Sequence, residues 1–371
     1  MSSAKEDIIP PREGEEVDLA KIRTYLSGKI PGSEKELHVK QFSGGHANLT
    51  YLLQYGKLNS DNQAEFEYVL RRPPHGHIAP HAHDMRREYR VLSVLYKAFP
   101  YAPKALLFCD DKEILGAPFF VMEKKQGTVV RKKVPAHFGS GKNEIINRQL
   151  SVVLIESLAA FHNVDYEKIG LGDLGKAANF MKRQIRGWGG GWHNVKTDEV
   201  EDAVFVIQWL KDHLPQIENG SLVHNDWRLD NIMLDSKDPS KLVSVFDWDM
   251  CTIGEPLADL GTLLSLWFEP GEQLDLTSNP NDDSLENLLP SKIPGFMTRK
   301  EAVELYGKKS GFDVSEIDYF MVFGMFKMAV IGQQIFRRFH DGDSHDERFR
   351  EFDKAVKLIL ARARKVAEAM K

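Results

Sequence analysis

Three side chains that carry oxygen ligands lie close together in the sequence: Asp226, Asn231 and Asp247. Short apolar runs flank the polar loop that contains Asp226 and Asn231, and Asp247 follows the next apolar run. This alternation predicts strand, loop, strand, turn and strand, with the carboxylates at the loop ends. Carboxylate and amide oxygens suit Mg²⁺ better than zinc or copper. An Asp that binds no metal can accept a hydroxyl proton, so the set contains the parts needed for phosphoryl transfer.

The spacing of these residues resembles the aminoglycoside phosphotransferase and choline kinase family, which is related to the protein kinases. The family pattern His-x-Asp-x-x-x-x-Asn runs from His224 to Asn231, the metal-binding Asp corresponds to Asp247, and Gly254 to Leu260 continues the similarity. The resemblance extends over most of the chain. It implies an α+β, two-lobed protein-kinase-like fold with a small antiparallel-sheet N-lobe and a larger, mostly helical C-lobe. It also implies ATP and Mg²⁺ as cofactors.

The same resemblance gives the residues of this loop separate roles. Asp226 would be the catalytic base, and Asn231 and Asp247 would hold Mg²⁺. Arg228 lies where serine/threonine kinases carry a Lys near the transferring phosphate. It could stabilise that charge, or it could stack against Trp227. His224 and Asp259 are expected to brace the loop.

A glycine loop between two predicted strands is the candidate phosphate-binding loop. The strands cover 37–42 and 49–55, and a glycine turn between them lets the backbone approach a phosphate closely. The Walker sequence is absent, and a plain hairpin turn is the alternative. The family pattern of Ser-Gly-Gly with an Asn three residues on is met by Ser43, Gly44, Gly45 and Asn48.

Arg71 lies on a third predicted strand, 66–72, at the position where kinases carry a Lys that holds the nucleotide phosphates. The branch of the family that is fused to acyl-CoA dehydrogenases resembles this chain in having Arg there. A guanidinium is planar and bulkier than an ammonium, so the two are not equivalent. In an alternative register of the strand, Arg72 takes this position. The other alternative is that Arg71 is an exposed residue on an edge strand. Glu88, on an amphipathic helix predicted over 84–99, is the expected partner of Arg71.

The resemblance also places the boundary between the lobes. Glu123 and Lys124 begin a polar linker after two further strands, and backbone groups there would bind the adenine. The predicted divisions are a mobile tail over 1–16, an N-lobe over 17–123, a hinge over 124–127 and a C-lobe over 128–371.

Helical patterns dominate after the linker. We predict helices over 144–162, 177–186, 198–214, 256–268, 298–307, 314–340 and 345–371. Between the second and third of these, the segment from Gly187 to Gly191 is expected to break the helix. Trp188 and Trp192 would then lie on a flexible loop, where they could contact substrate or cap a core. Residues 269–294 are either a lid or a disordered insertion.

Composition favours an ordinary globular protein. Hydrophobic residues make up 42%, charged residues 28%, and the net charge is -5, so nucleic acid is not an expected partner. The two cysteines, Cys109 and Cys251, are expected to be buried thiols in a reducing compartment. We find no signal-peptide pattern, and the apolar run from Met321 to Ile331 is interrupted by Lys327. A buried core helix and a soluble cytoplasmic protein without a membrane segment are therefore expected.

The predicted activity is transfer of the γ-phosphate of ATP to a hydroxyl of a small-molecule acceptor. Resemblance to the branch fused to acyl-CoA dehydrogenases implies a hydroxyacyl or hydroxyacyl-CoA acceptor, which Lys182, Arg183 and Arg186 could meet. A nucleotide-binding pseudokinase or scaffold is the alternative class. The nucleotide, ATP or GTP, and the oligomeric state stay open.

Overall fold

The computed structural model describes residues 8–43, 48–74, 84–131, 133–216, 219–269, 272 and 290–370. Gly44, Gly45, residues 1–7 of the predicted tail and most of the predicted insertion over 269–294 lie outside these ranges. The chain forms two compact units. The first comprises Met1–Thr128, Ile232–Lys237 and Leu242–Cys251, and the second comprises Val129–Asn231, Asp238–Lys241 and Thr252–Lys371.

The strands are β1 (Ile8–Ile9), β2 (Leu37–Phe42), β3 (Leu49–Tyr55), β4 (Phe66–Arg72), β5 (Ala105–Cys109), β6 (Phe119–Glu123), β7 (Thr128–Val129), β8 (Ser221–Val223), β9 (Ile232–Leu234), β10 (Leu242–Val245) and β11 (Thr252–Gly254). The helices are α1 (Leu19–Leu26), α2 (Met85–Leu95), α3 (Lys112–Leu115), α4 (Glu144–His162), α5 (Phe180–Val195), α6 (Glu201–Asp212), α7 (Pro256–Ser265), α8 (Arg299–Ser310), α9 (Ile317–His340) and α10 (Phe352–Ala369).

An antiparallel sheet in the order β1-β2-β3-β4-β6-β5 forms the centre of the first unit. The two-residue period of β3 places Leu49, Tyr51, Leu53 and Tyr55 on one face, where they share a core with α1. Helix α2 packs on β5 and β6. It begins at the Asp84 cap, whose carboxylate accepts from the backbone N–H groups of its first turn. This cap and the apolar period fix which face of α2 is buried.

The segment over 8–16 differs from the predicted mobile tail. Strand β1 pairs with β2 at the sheet edge. The Arg12 backbone N–H donates to Gln41 Oε1 (2.9 Å), Gln41 Nε2 donates to Glu15, and Tyr51 Oη donates to the Glu15 carbonyl. Polar side chains of β2 and β3 thus hold this segment on the sheet. The charged composition of the segment gave no sign of these partners, because they lie elsewhere in the sequence.

The β9–β10 hairpin belongs to the first unit, although it follows much of the predicted C-lobe in sequence. The Val245 N–H donates to the Tyr101 carbonyl (2.8 Å), and the Trp248 ring packs edge-to-face on Phe99. The second unit is therefore interrupted in sequence by segments of the first, whereas we predicted a continuous C-lobe over 128–371. The hinge over 124–127 stays a prediction.

Helix α9 is central to the second unit. It packs against α5, α6, α7 and α10. An added Cβ at Gly261 of α7 would lie 2.4 Å from the Phe320 backbone, so only glycine permits this close approach. Helix α9 is long and apolar enough to cross a membrane by length and composition, but 67% of its most apolar window is buried inside the protein, as in a core helix.

The glycine-rich segment is helical, so the predicted break over Gly187 to Gly191 is wrong. Helix α5 continues through it to Val195. Ile185, Gly189 and Trp192 lie on one buried face, and burial of that face outweighs the low helix propensity of glycine. The predicted flexible loop is therefore absent between α5 and α6. The last predicted helix also begins later, at Phe352, because a 3₁₀ turn over Glu347–Phe349 precedes it.

Candidate active site

Arg71 is at the centre of a buried charge cluster in the first unit. Strand β4 lies between β3 and β6, so Arg71 is on an interior strand and the edge-strand alternative is wrong. Its side chain is only 10% exposed. Nη1 lies 3.1 Å from Glu88 Oε1, and Nη2 lies 2.5 Å from Asp247 Oδ1. The predicted ion pair of Arg71 with Glu88 is therefore present, and Asp247 joins it.

The neighbouring Arg72 takes no part in this cluster. Its Nε donates to the Pro73 carbonyl at 3.2 Å, and burial lowers its pKa. Successive side chains of a strand point to opposite faces, so β4 places only Arg71 towards Glu88. The structure thus favours Arg71 over Arg72 as the residue at the position of the kinase Lys.

Burial shapes the electrostatics of the Arg71–Glu88 pair. Glu88 lies on the otherwise apolar face of α2, and burial raises its pKa to about 7 despite the nearby Arg71. Burial opposes the charge of Arg71, but Glu88 and Asp247 outweigh it and raise the pKa of the guanidinium. A buried guanidinium between two carboxylates is thus held charged in a fixed position.

Asp247 has a left-handed backbone, with φ at 64°. This conformation is unfavourable for a residue other than glycine. Next to it, Trp248 is buried and donates from Nε1 to the Val245 carbonyl at 2.8 Å, which fixes the turn after β10. The bent backbone directs the Asp247 carboxylate to Arg71. Its hard oxygens fit the ligand chemistry of Mg²⁺.

The remaining predicted nucleotide residues are also in the first unit. The Ser43 carbonyl accepts from Arg12 Nη2 at 2.7 Å, and Asn48 is buried at the start of the next strand. The Glu123 carboxylate accepts from the Lys104 N–H at 2.8 Å, and Lys124 Nζ lies 2.5 Å from Glu67. Nucleotide binding by these residues, and by Gly44 and Gly45, stays a prediction.

The loop with Asp226 belongs to the second unit, and its backbone is anchored from α7. Asn225 has a left-handed φ of 69°. Asp259 accepts from the backbone N–H groups of both His224 (2.5 Å) and Asn225 (2.7 Å). Its carboxylate also lies 3.3 Å from His162 Nε2. The sequence-based expectation that Asp259 braces this loop agrees with these contacts.

A buried polar chain continues behind Asp259. The other ring nitrogen of His162, Nδ1, lies 2.6 Å from the Tyr306 hydroxyl. Burial lowers the pKa of His162, with Asp259 acting in the opposite direction. Burial would raise the pKa of Asp259, but hydrogen bonds and the charges of His162 and His224 bring it below its ordinary value. The brace is thus a carboxylate held by the His162 ring and by two backbone N–H groups.

Asp226 follows directly and has a carboxylate that is 35% exposed. Asn231 Nδ2 donates to Asp226 Oδ2 and to the Asp226 carbonyl, both at 2.8 Å. The Asp226 backbone N–H donates to His224 Nδ1 at 3.3 Å. His224 is therefore buried as a support of the loop. Asp226 and Asn231, five residues apart, are in direct contact.

Arg228 lies beside these carboxylates. Its Nε is 2.9 Å from Asp230 Oδ1 and 3.4 Å from Asp226 Oδ1. Trp227, the alternative partner, is buried and stacks on Phe161 with ring planes 11° apart. The guanidinium is thus placed next to the candidate base by carboxylate pairs.

The sequence interpretation missed the contribution of Lys327 to this loop. Its Nζ donates to the Asn225 carbonyl at 2.6 Å. The available signal was a single Lys inside the apolar run of α9, which indicated only that the run was interrupted. A buried Lys needs a polar partner, but only the fold identifies it.

The structure therefore brings the predicted residues together in two groups. Arg71, Glu88 and Asp247 meet in the first unit, and Asp226 and Asn231 meet in the second. Trp192, one of the two tryptophans considered for substrate contact, is instead a buried core residue.

Comparison with known sequences identifies the family. A sequence model of the phosphotransferase enzyme family matches residues 38–278. Acyl-CoA dehydrogenase family member 11 from Gallus gallus is 29% identical over 360 residues, which are 95% of this chain and 44% of that protein. The Rattus norvegicus protein of the same name is 31% identical over 338 residues, 89% of this chain and 41% of that protein. The chain spans less than half the length of these relatives.

Solved structures confirm the fold. A Ralstonia eutropha protein assigned as an aminoglycoside phosphotransferase has a TM-score of 0.77 and 26% identity, with 95% of this chain and 99% of that chain covered. Choline kinase from Cryptosporidium parvum has a TM-score of 0.62 and 11% identity, covering 94% and 96%. An aminoglycoside phosphotransferase solved with AMP-PNP and hygromycin B has a TM-score of 0.54 and 16% identity, covering 94% and 97%. This chain belongs to the phosphotransferase enzyme family and has the predicted α+β, protein-kinase-like fold.

Proposed function

We propose that this phosphotransferase moves the γ-phosphate of ATP to a hydroxyl of a small molecule, with Mg²⁺ as cofactor and Asp226 as the base. One observation carries the proposal. Asp226 presents a partly exposed carboxylate that Asn231 orients at 2.8 Å, in a loop whose backbone Asp259 holds. A positioned carboxylate of this kind can orient a hydroxyl and accept its proton as the phosphoryl group transfers.

The other predicted residues would position the donor. Asn231 and Asp247 supply hard oxygen ligands and would hold Mg²⁺, which neutralises charge on phosphate oxygens when bound. Arg71, held charged by Glu88, would bind phosphate in the role of the usual Lys. Arg228, beside Asp226, would stabilise charge on the transferring group. AMP-PNP is an ATP analogue, so its complex with the structural relative supports ATP as the donor.

The acceptor class that we propose is a hydroxyacyl or hydroxyacyl-CoA compound. The support is the similarity to proteins named acyl-CoA dehydrogenase family member 11, of which this chain matches less than half. Lys182 and Arg186 lie exposed one helical turn apart on α5, where they present positive charge on one side of the helix. They could bind the phosphates of such an acceptor, while Arg183 donates to the Lys176 and Ala178 carbonyls.

The test is ADP release with Mg-ATP and a panel of hydroxyacids, hydroxyacyl-CoA thioesters, aminoglycosides and choline. Mass spectrometry would identify the phosphorylated product. We expect acceptor-dependent ADP release, and a loss of about 10²- to 10⁴-fold in kcat for Asp226→Asn because the base is removed. Asp212→Asn, an exposed carboxylate on α6, is the control and should retain activity.

Two results would contradict this proposal. Equal activity of Asp226→Asn and the native protein would remove Asp226 as the base. Binding of Mg-ATP without transfer to any acceptor would favour the pseudokinase alternative. Transfer to choline or an aminoglycoside but to no hydroxyacyl compound would overturn only the acceptor class.

A further inference from the structure

Lys327 is a charged residue in the interior of the second unit. It lies near the middle of α9 and is only 4% exposed, between the buried residues Phe326 and Ala329. A buried ammonium without a partner is strongly unfavourable. Its retention inside an apolar helix therefore depends on the groups that it meets.

Those groups belong to the loop that contains Asn225 and Asp226, here called the catalytic loop, and to the elements that support it. Nζ donates to the Asn225 carbonyl at 2.6 Å, and the Trp188 ring centroid of α5 is 5.8 Å away. The carboxylates of Asp259 and Asp226 favour the charged amine, although burial lowers its pKa more strongly. Lys327 is thus bonded to the residue immediately before the candidate base.

The bond to the Asn225 carbonyl has a specific consequence for Asp226. This carbonyl is part of the planar peptide group that joins Asn225 to Asp226. The N–H on the other side of Asn225 is held by Asp259 at 2.7 Å. Two helices, α7 and α9, therefore fix the peptide groups on both sides of Asn225. The left-handed φ of 69° at Asn225 is one that Asn adopts more readily than most residues, and these two bonds hold the turn in it.

We propose that Lys327 is a positioning residue for the phosphotransfer reaction, which holds the Asn225–Asp226 peptide group so that the Asp226 carboxylate points at the acceptor hydroxyl. This inference rests on the proposed function. Lys327 does not touch a reacting atom and acts through the Asn225 carbonyl. Without the bond, this peptide group can rotate and turn the carboxylate of Asp226 away.

The principal test is Lys327→Met, which fills a similar volume without a donor. Misplacement of a catalytic group by about 1 Å can cost about 10²-fold in rate, so we expect kcat to fall by about 10- to 100-fold. The KM for ATP should change by less than about 2-fold, because only turnover depends on the orientation of Asp226. Lys327→Arg and Lys327→Gln keep a donor, and at least one should recover part of kcat.

Gln333→Met is the matched control on the same helix. Gln333 is also buried, and its Nε2 donates to the Val195 carbonyl at 3.3 Å and to Thr197 Oγ1 at 3.2 Å, outside the catalytic loop. It should lower the unfolding temperature as Lys327→Met does, but leave kcat near the native value. Equal kcat losses in the two variants would overturn the proposal, as would a raised KM with native kcat in Lys327→Met.

Hydrogen exchange provides a second measurement that does not need activity. Lys327→Met should increase exchange in the peptide covering 222–231, whereas Gln333→Met should not. Unchanged exchange of that peptide would overturn the positioning role. The native protein could also transfer phosphate to no acceptor while Lys327→Met still increases exchange in this peptide. That result would show that Lys327 holds the Asn225–Asp226 peptide group, but it would reject the proposed function. If Lys327→Met does not fold, the same measurements on Lys327→Leu, which also lacks a donor, decide the outcome.

Discussion

The two groups of site residues are held by different means. In the first unit, Arg71, Glu88 and Asp247 pair directly through charged side chains. In the second, Asp259 and Lys327 hold backbone groups, and the Asp226 carboxylate stays partly exposed. Direct pairing fixes the positions of charged side chains, whereas backbone support orients a carboxylate and leaves it accessible. We propose that the first group binds nucleotide phosphate and the second carries the base. Damage to the first group should therefore affect nucleotide binding, and damage to the second should affect turnover.

The largest effect on stability is expected from Arg71→Met. It leaves Glu88 and Asp247 without their shared cation, and loss of one partner of a buried pair costs about 3–5 kcal/mol in the free energy of unfolding. We also expect activity to fall by at least about 10²-fold, mainly through a raised KM for ATP. Thermal unfolding and ATP titration measure the two effects. Arg71→Lys keeps the charge, so it should lose less stability and less ATP affinity. Native ATP affinity in Arg71→Met would contradict the expectation that damage to the first group affects nucleotide binding.

Asp259→Asn should have a smaller effect on stability, and its main effect should appear in kcat. Each oxygen of the Asp259 carboxylate accepts from one backbone N–H, of His224 or of Asn225, and an amide would place an NH2 donor against one of them. We expect a fall of about 10-fold or more in kcat with little change in ATP binding. Steady-state kinetics at saturating acceptor measure this. A loss confined to ATP affinity would show that the two groups are not separable.

Acid should weaken the second unit through the same brace. Burial lowers the pKa of His162 below its ordinary value of 6.5, so the unfolded chain takes up a proton at higher pH than the native chain. The free energy of unfolding therefore falls as pH drops through 6.5. Asp259, whose pKa is below its ordinary 3.8, adds a further loss below that value. The loss from His162 should therefore appear between about pH 7 and about pH 5, before that from Asp259.

Denaturant unfolding between about pH 7.5 and about pH 5, a range that spans the ordinary His titration, measures this contribution. His162→Asn should be less stable at the upper end but should show a shallower decline. Parallel curves for the two proteins would exclude His162 as the titrating group.

The smallest effect is expected from Arg12→Ala, which removes the bond from the N-terminal segment to the Ser43 carbonyl. Arg12 is partly exposed, so the stability change should stay below about 1 kcal/mol. The KM for ATP should rise by no more than about 3-fold, since about 0.6 kcal/mol corresponds to such a factor. ATP titration tests this, with Lys35→Ala, which removes an exposed ion pair to Glu65, as control. A large rise in KM would add the N-terminal segment to the nucleotide site.

Much of the fold was predictable because its signals are local. The period of 3.6 over 144–162 gave α4 with its observed ends, and the alternation over 66–72 gave β4. The glycine-rich segment over 187–191 misled, because propensity is a local quantity and the burial of Trp192 is not. The ordered segment over 8–16 was also missed, since its partners lie in β2 and β3.

The sequence by itself indicated a phosphotransferase. The types and spacing of His224, Asp226 and Asn231, with Asp247 beyond them, indicated phosphoryl transfer, because few side chains can supply a base and hard oxygen ligands in that order. Only the tertiary structure decided how the candidate base is held. The Asn225 backbone is fixed by Asp259 and Lys327, which are distant in sequence, and such contacts follow from helix packing and leave no periodic pattern in the chain.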